Sequence, residues 1–86
     1  MKYSPENWRT LGRYVKRRRL PIEADMGEWA AKVGRSTRVL LGLERGESQG
    51  LNTVALVASA LGVDAEVLFD ILTVGLYLTE RTRFQP

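Results

Sequence analysis

The chain has 86 residues, enough for one domain with a core of modest size. It contains no cysteine and no histidine, which excludes a disulfide framework, a zinc site built from nitrogen and sulfur ligands, and any histidine-based triad. The net charge of +3 is unevenly spread: residues 1–45 carry +6 and residues 46–86 carry −3. That division suits a protein with one basic side turned to a polyanion, the alternative being a merely solvated basic helix. No apolar run follows Met1, so no signal peptide is expected. The longest apolar-rich stretch, Val67 to Leu78, is interrupted by Asp70 and too short to span a bilayer. With no EF-hand spacing or carboxylate cluster, the expectation is a soluble intracellular protein without metal or cofactor.

Ser4-Pro5-Glu6 predicts a helix start, with Ser4 as N-cap, Pro5 in the first turn and Glu6 favourable against the helix dipole. Trp8, Leu11, Tyr14 and Val15 follow at helical spacing, and Pro21 ends the helix. Asp25 and Glu28 have capping-box spacing before a second helix whose apolar stripe is Met26, Trp29, Ala30 and Val33, stopped by Gly34. Ser36 caps a third helix, with Val39 or Leu40, and Leu43, turned inward and Gly46 at its end. After a polar loop, either Gly50 or Asn52 opens a fourth helix carrying Val54, Val57, Ala58 and Leu61 on one face, stopped by Gly62. Asp64 opens a fifth, with Val67, Leu68, Ile71 and Leu72 apolar. Residues 73–78 read equally as helix, at a cost of about 1 kcal/mol for Gly75, or as strand. The expected architecture is all-α: a five-helix domain over residues 1–72 and an apolar C-terminal extension over residues 73–86.

The stretch from Glu28 to Gly46 carries the strongest functional signal. It reads as two short amphipathic helices about a tight turn at Gly34, the second launched by Ser36 with Thr37, Arg38 and Arg45 off its apolar side. That is the layout of a helix-turn-helix, which presents its second helix to the major groove of DNA.

The chain resembles the Cro/repressor-type (lambda repressor-like) helix-turn-helix family over residues 9–70, in four pieces in order. Leu11-Gly12 to Arg19 looks like the family's first helix, which ends in an arginine. Trp29-Ala30, then Gly34 and Ser36, looks like its helix-turn signature. Leu43-Glu44-Arg45-Gly46 is similar to its "L-E-x-G" close, and Ala58 to Val63 followed by Leu68-Phe69 to its "A-x-x-L-G-V … L-F" fourth and fifth helices. The chain departs from the pattern at Trp29, where the family usually has leucine, at Met26, often glutamine, and at Gln49-Gly50, which replaces "P-S".

The resemblance implies a compact five-helix domain and assigns roles. Thr37 and Arg38 at the opening turn of the third helix, with Leu41 and Gly42 one turn on, are the expected base-contacting positions. A guanidinium such as that of Arg38 can bridge O6 and N7 of guanine, and Leu41 can pack on a thymine methyl. Gly42, lacking a side chain, permits close approach. The alternatives are a phosphate contact or solvation for Arg38 and core packing for Leu41. Phosphate contacts are expected from Arg35, Ser36 and Arg45, and from Lys16 and Arg17 in the basic run of the first helix, not all of which can face DNA. Arg19 and Glu44 are expected to form a structural ion pair. Val67 to Leu78 is expected to supply a homodimer contact through Leu68, Ile71, Leu72, Leu76 and Leu78, unless it folds back onto its own core.

The implied function is sequence-specific binding of double-stranded DNA by a small repressor of phage or prophage type, in the cytoplasm of a bacterial cell or infected host. The chain is too short to carry a ligand-sensing domain as well, and no membrane or small-molecule partner is expected. Two other readings remain: an antitoxin or other protein-interaction module, with residues 73–86 as the partner segment, and an architectural factor directing recombination. Nothing in the sequence resembles a catalytic constellation, so no enzymatic activity is expected.

Overall fold

The structure, a computed structural model, describes residues 3–75. Five helices follow one another: α1 (Pro5–Arg19), α2 (Met26–Val33), α3 (Thr37–Glu44), α4 (Leu51–Leu61) and α5 (Ala65–Val74). No strand occurs among the described residues.

Local chemistry sets most of these boundaries. The hydroxyl of Ser4 accepts from the Asn7 N–H at 3.1 Å, the carboxylate of Asp25 from Glu28 at 2.9 Å, and the hydroxyl of Ser36 from Val39 at 3.2 Å. Each satisfies a donor that a helix start leaves unpaired. Gly50 caps α4, resolving the choice between it and Asn52. Helix α5 continues through Val74 and stops at Gly75, whose φ of 77° lies in the left-handed region. The Asn7 side chain reaches that end from α1, its amide donating to the Leu72 carbonyl at 2.9 Å.

Helix α1 lies against α5 and α3 and touches α4, α2 packs on α3 and α4, and α4 on α5. Between them sits a single core in which Leu11, Trp29, Leu43, Val54, Val57, Leu68 and Ile71 are fully enclosed. The indole N–H of Trp29 is buried without a hydrogen-bond partner among the described residues, which costs on the order of 1–3 kcal/mol against the apolar burial of the ring.

One expectation is overturned here. Leu68, Ile71 and Leu72, read as a dimer contact, are fully buried within one chain and have no surface to offer a second copy. Their spacing marks the core face of α5. Leu76 and Leu78 lie outside the described residues. No helix among the described residues is long and apolar enough to cross a membrane.

Candidate nucleic-acid interface

Helix α3 is short, and its position is set at both ends. At its start, Gly34 turns the chain at φ 82° and Ser36 caps the new helix. The intervening Arg35 donates through Nε to the Thr53 hydroxyl at 3.2 Å and through one terminal nitrogen to the Gly34 carbonyl at 3.1 Å. The turn is thereby tied to the first turn of α4.

At its close, α3 is locked to α1. Arg19 and Glu44 form a two-pronged pair, Nε to Oε2 and the second terminal nitrogen to Oε1, both at 2.8 Å. The side chains are 5% and 6% exposed. The remaining guanidinium nitrogen donates to the carbonyls of Glu23 and Ala24 at 3.2 and 2.9 Å, so Arg19 also holds the α1–α2 connection. The hydrogen bonds to Glu44, aided by the charges of Glu44 and Glu23, outweigh desolvation and raise the guanidinium above its ordinary pKa. The helices meet closely beside this pair. A Cβ on Gly12 would stand 2.5 Å from the Leu43 carbonyl oxygen and 2.7 Å from that of Glu44. Only a glycine in α1 lets the backbones approach so far.

With Leu40 and Leu43 turned into the core, Thr37, Arg38, Leu41 and Arg45 are exposed. At the helical repeat these four share an arc of about 100°. Arg38 makes no hydrogen bond or ion pair with a described residue. Leu41 is 42% exposed on the same arc, so it does not pack into the core. Arg45 stands 3.7 Å from Glu47 in a solvent-exposed pair, an interaction worth little that a phosphate can displace.

Gly42, expected on this arc as a point of close approach, is buried, and the reason lies in the turn that ends α3. Gly46, at φ 94°, lets its own N–H bond to the Leu43 carbonyl at 3.0 Å and that of Glu47 to the Gly42 carbonyl at 2.9 Å. This is the Schellman pattern. It brings the side chains of Glu47 and Gln49 over Gly42, at 2.6 and 3.1 Å from where a Cβ would be. Close approach at Gly42 is therefore blocked by the chain itself.

The basic run at the end of α1 is divided by the helical repeat. Lys16 and Arg17 are exposed, Arg18 lies over the Tyr14 ring at 5.5 Å from its centre, and Arg19 turns inward to Glu44. Ser36 spends its hydroxyl on the cap, and Arg35 is braced rather than free. A cleft of about 490 Å³ opens between the start of α1 and the α3–α4 loop, lined by Tyr3, Trp8, Gln49 and Leu51 among others, with no charged group among the described residues that line it. Among the described residues no group of three acids is gathered that could hold a metal ion.

Sequence reasoning missed Thr53, Glu47 and Gln49. Thr53 is the one polar residue on the buried face of α4, beside Val54, Val57, Ala58 and Leu61, which was a signal for a bonded hydroxyl. Compared with protein-family models, with curated proteins and with solved structures, the chain finds no match.

Proposed function

We propose that this protein is a sequence-specific, double-strand DNA-binding regulator built on a lambda repressor-like helix-turn-helix, with α2 and α3 as the motif and α3 laid in the major groove. The observation that carries the reading is the outward arc of α3. Thr37, Leu41, Arg45 and an Arg38 with no partner among the described residues face away from the core on a helix held at both ends by Arg35 and Arg19.

On this reading Thr37 and Arg38 meet base edges at the start of α3, and Leu41 packs on a thymine methyl. Arg45 exchanges Glu47 for a phosphate, while Lys16 and Arg17 add to the positive field. Arg35 neutralises phosphate charge from its braced position without leaving Thr53. One such module buries roughly 600–1,000 Å² on DNA, so two copies on a two-fold site are expected, meeting through a surface other than the buried face of α5. The apolar extension over residues 73–86 remains a candidate for that contact. The reading includes no catalytic step, no cofactor and no membrane, and it places the protein in a bacterial or phage-infected cytoplasm as a repressor that blocks polymerase.

Selection of bound duplex from a random pool tests this at stated salt. The expected result is one enriched motif with two-fold symmetry, and affinity that falls steeply between about 50 and about 200 mM salt. Enrichment of bend-prone sequences alone would favour an architectural role. No retention of duplex at low salt would refute the proposal.

A further inference from the structure

The turn that closes α3 sets two polar side chains where a helix side chain ordinarily stands. In a Schellman turn the residue after the glycine commonly packs an apolar group on the helix three positions before the cap. Here those two residues are Glu47 and Gly42, and no apolar contact forms between them. The Glu47 carboxylate and the Gln49 amide instead occupy the volume that a side chain at Gly42 would fill, at 2.6 and 3.1 Å from a Cβ there. Gly42 follows Arg38 by one helical turn, so this group borders the outward arc beside Arg38. The Glu47 side chain is 62% exposed, so it rests on α3 and also faces outward.

A carboxylate in this place has two consequences for a helix entering DNA. It opposes approach to every phosphate, whatever the sequence. Among base edges in the major groove it can accept only from an exocyclic amine, N4 of cytosine or N6 of adenine, and it is repelled by the carbonyl oxygens of guanine and thymine. Specificity gained by penalising wrong partners costs general affinity, and a lone acid on a cationic arc fits that trade.

We propose that Glu47, seated on Gly42 and flanked by Gln49, is a specificity-determining residue that selects a base presenting an amine in the major groove. This rests on the DNA-binding reading above. The test is duplex selection with the full chain and with Glu47→Gln. That substitution keeps the shape, lies at an exposed position, and leaves intact the backbone bond from residue 47 to Gly42. An amide can turn either a donor or an acceptor outward. The variant is expected to lose preference at one base pair per half-site by about tenfold, with the rest of the motif unchanged. Higher affinity for all sequences with an unchanged motif would overturn the proposal, because releasing Arg45 from its pair with Glu47 is enough to produce it. A wild-type protein that enriches no motif removes the DNA-binding reading and this assignment together. A motif lost only in part by Glu47→Gln separates the two.

Discussion

Removing the Glu44 carboxylate should cost this domain a large share of its stability. Glu44→Ala strips two charge-assisted hydrogen bonds of 2.8 Å from a guanidinium whose side chain is 5% exposed. One guanidinium nitrogen keeps the Glu23 and Ala24 carbonyls, but the other two face a site that water barely reaches. Breaking a buried pair from one side costs about 3–5 kcal/mol. Against a total of roughly 5–15 kcal/mol for a small domain, that corresponds to a fall in Tm of about 15–30 °C. Arg19→Ala should cost at least as much, since it also releases the α1–α2 connection. Replacing both partners, as Arg19→Met with Glu44→Leu, should recover most of the loss because no charge is left stranded. Thermal and urea unfolding followed by circular dichroism measures all three. The sign of the pH dependence is also set. The Arg19 pKa is raised, so its contribution is complete at any pH below its ordinary value and is lost only as pH rises through the raised one. The gap between wild type and Glu44→Ala should therefore stay constant from about pH 7 to about pH 10. A cost below about 1 kcal/mol for Glu44→Ala would equate the pair with an exposed one and refute the argument that it locks α3 to α1.

Three other outcomes follow from the packing and the arc. Gly12→Ala ordinarily favours a helix by about 1 kcal/mol, yet here its methyl meets the Leu43 and Glu44 carbonyls, so a net loss of about 1–3 kcal/mol is expected in urea unfolding. Arg38→Ala should relax preference at one base pair by about 1–3 kcal/mol, whereas Arg45→Ala should weaken all sequences alike and lower the salt slope by about one unit; equal behaviour of the two variants in binding titrations would undo the assignment of base and phosphate roles. Leu72→Ala should lower stability by about 2–5 kcal/mol at every protein concentration. A variant that keeps its melting behaviour and only loses association in sedimentation would contradict the burial of that residue.

The sequence made those features legible that depend on neighbours along the chain. Ser4, Asp25 and Ser36 cap their helices because a short polar side chain just before an apolar period has one nearby donor to satisfy. Gly34 and Gly62 end theirs because the left-handed turn disfavours any side chain. The Arg19–Glu44 pair spans 25 positions and was readable only through the family resemblance. Asn7 reaching the Leu72 carbonyl spans 65, and no local pattern announces it. Gly12 stands inside α1, where a glycine lowers helix propensity, and its reason is the passing backbone of α3, which lies 31 and 32 positions away in sequence and leaves no local trace. The apolar spacing of α5 says that one face is covered without saying by what, and the same period fits a core face and a contact between copies alike.

Trp8 and Trp29 sit on different helices, both sheltered from solvent, and neither belongs to the outward arc of α3. The molecule thus contains its own optical gauge of integrity. Emission should be blue-shifted in the native protein, move to the red on denaturation, and hold its wavelength when an oligonucleotide is added. A variant that fails to bind can then be sorted at once, by its spectrum alone, into one that has lost its surface and one that has lost its shape.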